Sequence, residues 1–289
     1  MAYFIAVANR KGGVGKSTVA VMLAHGLAVW GSRRVLMIDL DSQCNTSLIL
    51  LGGEGWLASK NKGINVADFF YEHYDGHMPQ PKDFLLHNVG DVHLPTGKKP
   101  VISLLPGSLL LEDVQGELYL KEARQSKDPE VVSNHVRTKI ERLLKTFAAS
   151  YDVVIFDCAP GLSFAALSAL KIADRVLVPF KPDYVSMLAI DRVAQLIEGR
   201  RSEGAVREIP LDKRRYATVA NCASDSGRDR ILVDTIAADH PMLDARVRQR
   251  DSIRESFEYD DVPKSIEQKY GDGVEDVRRL CLEVGRWLQ

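Results

Sequence analysis

Short apolar runs alternate along this chain with longer stretches in which apolar residues recur three and four positions apart. Residues 3–8 (YFIAVA), 34–39 (RVLMID), 101–106 (VISLLP), 153–157 (VVIFD), 175–179 (RVLVP) and 216–221 (YATVAN) read as buried strands. Residues 17–30, 111–124, 129–149, 184–197 and 228–238 carry helical spacing, and Gly31 is placed to end the first of these. Near the end, Val274, Val277, Leu280, Cys281, Val284, Trp287 and Leu288 form one helical stripe. Strands alternating with helices predict an α/β fold, a doubly wound, mostly parallel sheet with helices on both faces. One domain over 1–289 accounts for the whole pattern. The period breaks from about 52 to 100, where glycine, proline, histidine and lysine leave only a short helix at 64–71. That stretch reads as a loop-rich surface insertion.

Composition narrows the class without naming it. With 289 residues, 45% hydrophobic and 27% charged, the chain is ordinary for a soluble globular protein. A formal net charge of −1 argues against a uniformly basic nucleic-acid binder but permits a local basic face. The apolar start leads straight into a glycine loop, unlike a signal peptide, and no apolar run is long enough to span a membrane. Cys44, Cys158, Cys222 and Cys281 make no C-x-x-C pair, so they read as inert thiols in a reducing cytoplasm. His73, His77, His87 and His93 fall in the irregular stretch, where partner specificity is a better reading than metal ligation.

The chemistry concentrates in NRKGGVGKST, residues 9–18. A phosphate-binding loop reads G-x-x-x-x-G-K-[ST]. Gly15, Lys16 and Ser17 supply its second half, but Arg10 stands where the first glycine belongs and a second lysine, Lys11, opens the glycine run. The loop joins a strand end to a helix start, where unpaired amides and the helix dipole favour an anion. Gly12, Gly13 and Gly15 let backbone wrap phosphate oxygens, with Val14 between them and Thr18 beyond. Lys16 would neutralise the β- and γ-phosphates, and the Ser17 hydroxyl would ligate Mg²⁺. Such a site needs acids from other strands. Asp157 closes VVIFD as a Walker B aspartate would, and Asp39 and Asp41 follow the second strand, from which one acid could orient an attacking water.

Lysine ahead of paired glycines in KGGVGKST resembles the deviant Walker A motif of the ParA/MinD ATPases. VLMIDLDSQCNTS (35–47), YDVVIFDCAPGLS (151–163), VPFKPDYVSMLAI (178–190) and VRQRDSIRESFEYDDVP (247–263) resemble further ParA segments. LLPGSLLLEDVQGEL (104–118) is similar to the middle of the family, while 52–100 matches it least. The resemblance implies a deviant P-loop NTPase with ATP and Mg²⁺ as cofactors. Within it, Lys11 would be the signature lysine that reaches the partner's phosphates in an ATP-sandwich homodimer. Lys16 would be the P-loop lysine. Ser17 and, through water, Asp39 and Asp157 would attend Mg²⁺, and Asp41 would position the hydrolytic water. Gln43 and Asn45 would belong to the switch and dimer surface, and Asn221 would contact adenine. Ser42 departs from the usual proline and Lys181 from a neutral polar residue.

By the same resemblance, ATP-bound dimers would bind double-stranded DNA without sequence preference. Arg246, Arg248, Arg250 and Arg254 are the candidates, and Lys213, Arg214, Arg215, Arg228 and Arg230 form a second group. A ParB-like or cargo-adaptor protein would stimulate hydrolysis. The implied role is partitioning of plasmid or chromosome DNA, or positioning of another cargo, in a nucleoid-associated cytoplasmic protein. The first strand begins at Tyr3, which argues against an amino-terminal operator-reading segment. A MinD-like membrane regulator is the alternative, opposed by the acids Glu275, Asp276 and Glu283 on the last helix, whose stripe reads as core. A metallocluster carrier would need paired cysteines that the spacing does not offer.

Overall fold

A computed structural model describes residues 2–224 and 226–288. The strands are β1 (Tyr3–Val7), β2 (Val35–Leu40), β3 (Leu86–His87), β4 (Val92–His93), β5 (Ile102–Leu105), β6 (Val153–Cys158), β7 (Arg175–Phe180), β8 (Tyr216–Ala223), β9 (Met242–Arg248) and β10 (Lys264–Ser265). The helices of the first half are α1 (Lys16–Val29), α2 (Asn45–Asn61), α3 (Val66–Tyr74), α4 (Leu111–Glu122) and α5 (Pro129–Lys145). Those of the second are α6 (Phe164–Ile172), α7 (Tyr184–Glu198), α8 (Glu203–Arg207), α9 (Gly227–Asp239), α10 (Asp251–Glu255), α11 (Ile266–Tyr270) and α12 (Val274–Trp287).

Eight strands form one sheet in the order β3-β5-β2-β6-β1-β7-β8-β9. Every pair is parallel except β3 with β5. Successive residues of a strand point to opposite faces, and the core divides accordingly. Ala6, Leu36, Ile38, Val154 and Phe156 pack with α3 to α7 and α9 on one face. Ile5, Val7, Met37, Val153 and Ile155 pack with α1, α2 and α10 to α12 on the other. This is the doubly wound α/β sheet that the alternating pattern predicts.

The last helix settles as core. Val277, Leu280 and Val284 are wholly buried, each worth about 1.5–3 kcal/mol against exposure. Gly26 of α1 lies so close to Cys281 that a Cβ there would fall 2.2 Å from its sulfur. Among the described residues no helix is long and apolar enough to cross a membrane.

Several elements escape the sequence pattern, α2, α6 and β9 among them. The stretch from 52 is not loop at its start, because α2 runs to Asn61 through a kink at Gly52 (φ 68°). Three glycines lower its helix propensity, and packing of Ile49 and Leu50 in the core outweighs that. The irregular part is mainly 75–100, where His87 bonds Ser103 (2.9 Å) and His93 bonds the Leu94 carbonyl (2.8 Å). Helix α6 is short and alanine-rich, but β6 and β7 lie in one parallel sheet and need a crossover between them. Strand β9 buries only Ala245 and Val247 and turns Asp244 and Arg246 to solvent, so its charges mask an edge strand.

Candidate nucleotide site

The loop after β1 is open where an anion would enter. Gly12 and Gly13 are exposed, and a Cβ at either would meet no atom within 4 Å. Gly15 is the residue before α1, in the left-handed region at φ 82°, and no side chain caps this helix. The first amides of α1 therefore remain available to a ligand. A Cβ on Gly15 would fall 2.1 Å from Asn221 Nδ2, so glycine is required for space as well as conformation. The Asn221 side chain, at the carboxyl end of β8, donates to the Val14 carbonyl (2.8 Å) and pins the loop from beside. Asn9 does so from the other end, donating to the Pro179 carbonyl (2.8 Å) and accepting from the Lys11 amide (3.0 Å).

The two lysines diverge. Lys16 is buried, and its amine lies 3.4 Å from the Lys11 carbonyl, on the inner side of the loop. Burial lowers its pKa, opposed by the charges of Asp157 and Asp41. The Lys11 amine turns outward to the Asp183 carboxylate, with Ser186 Oγ 3.4 Å away. Asp183 also caps α7 by accepting from the Ser186 amide (2.8 Å).

Sheet register delivers the acids. Asp157 stands opposite both Val7 of β1 and Asp39 of β2, at the edge from which the loop departs. Both carboxyls are wholly buried, and burial pushes both pKa values up. The start of α2 supplies hydroxyls against them. Thr46 donates to Asp157 Oδ2 (2.8 Å), and the Ser47 amide and hydroxyl donate to Asp39 Oδ2 (2.9 and 2.6 Å). Asp39 Oδ1 accepts from the Asp41 amide (3.2 Å), so both its oxygens are held within the chain. Asp157 Oδ1, by contrast, is buried without a hydrogen bond, and the adjacent Ser17 hydroxyl helps keep this carboxylate charged. A buried hard oxygen beside a serine hydroxyl fits Mg²⁺. Asp41 accepts from the Gln43 amide (2.9 Å), while Gln43 and Asn45 are exposed.

Beside the loop a cavity of about 440 Å³ opens between Gly13, Gly15, Thr18, Asn221 and the 248–254 segment. Arg248 and Arg250 line it and are held by acids. Arg248 pairs with Asp276, and Arg250 with Asp272 (2.6 Å). Arg254 pairs with Asp251 (3.1 Å) on the exposed surface, and Arg246 is exposed on β9. Arg254 lines the same cavity as Arg248 and Arg250, and Arg246 stands two residues before Arg248 on β9. Of the second group, Arg214 is buried, and Arg215 binds the carbonyls of Ala173 and Ile197, both as structural donors.

A family model described as an AAA domain matches residues 2–205 of the 289. The chromosome partitioning protein ParA of Myxococcus xanthus is 30% identical over 194 residues, which cover 67% of this chain and 57% of that protein. The chain belongs to the ParA family. It spans 43 to 64% of the length of the first curated relatives it matches. A plasmid partition protein from Borrelia burgdorferi bound to AMPPNP shares the fold, with a TM-score of 0.67 at 17% identity over 99% of this chain and 100% of that one. So does cobyrinic acid a,c-diamide synthase from Mycobacterium smegmatis with bound ATP analogue and magnesium, with a TM-score of 0.68 at 20% identity over 99% of this chain and 95% of that one.

In this ParA chain the fold brings Gly12 to Thr18, Asp39, Asp157 and Asn221 to one sheet edge. Sequence reasoning missed Asn9, Thr46, Ser47 and Asp183. Only the last had a local signal: an aspartate three residues before Ser186 at a helix start reads as an N-cap. The others act across the sheet edge.

Proposed function

We propose that this chain is an Mg²⁺-dependent ATPase that dimerises around ATP and drives partitioning of DNA or positioning of another cargo. The observation that carries this reading is the meeting of a glycine loop, two lysines and three strand-end acids at one sheet edge. Backbone amides of residues 12–17 and the Lys16 amine would hold the phosphates. Ser17 and Asp157 Oδ1 would hold Mg²⁺, with Asp39 oriented behind them by Ser47. Bound Mg²⁺ would neutralise charge on the β- and γ-phosphates. Asp41 would orient the attacking water, and Asn221 would border the base beside the loop.

Lys11 would leave Asp183 and supply charge to the partner's nucleotide, coupling dimerisation to hydrolysis. The exposed side chains of Tyr184, Val185 and Leu188, next to Asp183, support a dimer surface here. Non-specific DNA contact would fall to the exposed Arg246 and Arg254, with Arg248 and Arg250 shaping the nucleotide side of the same segment. A ParB-like or adaptor protein would stimulate turnover near the nucleoid.

Light scattering after size exclusion, with and without ATP and Mg²⁺, tests the reading alongside a phosphate-release assay. A dimer that requires ATP, with slow turnover, is expected. A chain that stays monomeric and hydrolyses nothing overturns it.

A further inference from the structure

Helix α4 and the turn that leads into it meet the acid side of the nucleotide site at three levels. The Gly107 amide donates to Ser47 Oγ (2.8 Å), which donates in turn to Asp39 Oδ2 (2.6 Å). A Cβ on Gly107 would fall 2.9 Å from the Asp39 carboxyl carbon, so this turn is seated directly against the carboxyl. At the start of the helix, Glu112 Oε1 accepts from the hydroxyl of Ser42, the neighbour of Asp41 (2.9 Å). One turn on, Gln115 Oε1 accepts from the Ala165 amide (2.8 Å). Glu112 and Gln115 are three positions apart and so lie on one face of α4.

Gln115 is buried, and its amide is oriented from both ends. The nitrogen donates to the Leu111 carbonyl of its own helix (3.0 Å), which turns the oxygen toward α6. Ala165 is in the first turn of α6, where amides have no partner within the helix. Ser163 caps the next one, accepting from the Ala166 amide (3.1 Å). The Ala165 amide instead takes its acceptor from another helix, 50 positions away in sequence. Tyr119, one turn beyond Gln115, stacks on Phe164 with ring centres 5.9 Å apart. Helix α4 therefore grips the start of α6 twice.

Residues 159–163 join that helix start to β6, which carries Asp157. They are exposed or half-buried. Across a cavity of about 510 Å³ they face Asp41, Ser42 and Gln43, and Gln115 and Phe164 line the same space. One end of this loop is fixed by the sheet. The other is fixed by the bond from Gln115 and the stacked rings.

We propose that Gln115 is a positioning residue for hydrolysis, acting through the Ala165 amide to hold residues 159–163 opposite Asp41. This deepens the ATPase reading above and rests on it. Gln115 touches no reacting atom. Attack by water needs its surroundings aligned, and a displacement of about 1 Å costs about 100-fold in rate. Phosphate binding falls to residues 12–17, on the other side of Asp157. Loss of Gln115 therefore lowers turnover and spares affinity.

Gln115→Met keeps the length of the side chain and leaves only a weakly accepting sulfur. Gln115→Glu keeps an oxygen for the Ala165 amide, at a helix amino end that favours negative charge. Ile236→Val, in the core on α9, controls for lost stability alone. Where Gln115→Met does not fold, Gln115→Asn, which withdraws the amide by one methylene, takes its place. Phosphate release across ATP concentrations with Mg²⁺ gives kcat and KM. Titration of a fluorescent ATP analogue gives affinity separately.

In Gln115→Met, kcat should fall about tenfold or more while analogue affinity stays within about twofold. Gln115→Glu should recover most of the loss. An unchanged kcat in Gln115→Met overturns the proposal, and so does Gln115→Glu no faster than Gln115→Met. A parallel loss of turnover and affinity, or a loss shared with Ile236→Val, also overturns it, because the bond is then a structural tie alone. Wild type that binds the analogue but releases no phosphate fails the ATPase reading, and this proposal with it. Wild type that turns over beside an equally active Gln115→Met fails this proposal alone.

Discussion

The Lys11 amine is bonded to the Asp183 carboxylate of its own chain, on the outer side of the glycine loop, while Lys16 faces inward. A lysine that is to reach another subunit must first give up this partner. Asp183→Asn removes the charge and keeps an N-cap for α7, because asparagine caps as well as aspartate. The pair is partly exposed, so its loss is worth up to about 1 kcal/mol. ATP-dependent dimerisation should therefore occur at several-fold lower protein concentration. Lys11→Ala should abolish dimerisation and stimulated turnover. Sedimentation across a concentration series checks both, and an unchanged dimer constant in Asp183→Asn would remove the latch.

Gly15 and Asn221 should behave as one unit. Gly15→Ala forces a left-handed alanine, at about 1–2 kcal/mol, and drives its Cβ into the Asn221 amide. Nucleotide binding should be lost. Asn221→Ala strands the buried Val14 carbonyl, at about 1–3 kcal/mol, and should weaken binding less. Their double variant should be less damaged than the sum, because truncating Asn221 relieves the collision. Denaturant melts of the four proteins close the cycle, and strict additivity would refute the contact.

On mild acidification two buried histidines should cost stability, while the buried Asp39 and Asp157, whose pKa values are raised, act the other way. His25 and His240 are buried, and burial pushes both from 6.5 down to about 4. His25 bonds the Tyr270 hydroxyl (2.9 Å) and His240 that of Tyr216 (2.8 Å). The unfolded chain takes up these protons below pH 6.5, whereas the folded chain waits until about pH 4. The histidine contribution is full above 6.5 and drains away as pH falls through that window, by about 2 kcal/mol per histidine at pH 5. Urea midpoints at pH 7 and pH 5, compared between wild type and the histidine variant, isolate the loss. In His25→Gln the difference should shrink by that amount, and an identical pH dependence would clear His25 of the effect.

Arg246 offers the cleanest test of DNA contact, since it is exposed on β9 and, among the described residues, pairs with no acid, unlike Arg248 and Arg250. Arg246→Ala should weaken DNA retention in the presence of ATP equally for unrelated sequences. It should also reduce the salt slope by about one ion. Turnover without DNA should not change. Retention equal to wild type at every salt concentration would take Arg246 off the interface.

The period of apolar residues by itself determined a parallel α/β sheet, because strands buried on both faces must be continuous apolar runs. The glycine loop and the strand-end acids were legible for a related reason: their chemistry is local, a backbone conformation and a residue type at the end of a run. What stayed hidden was long-range. Charges on an edge strand concealed β9, and glycines concealed α2, since packing outweighs propensity only once the neighbours are in place. The strand order decided that Asp39 and Asp157 lie opposite each other. Thr46, Ser47, Asn9 and Asp183 gained their roles only when chain segments far apart in sequence met at one sheet edge. Arg248 and Arg250, candidate DNA contacts by resemblance, stand beside Asp276 and Asp272. A run of like residues fixes charge, but only folding chooses which counter-charge stands beside it.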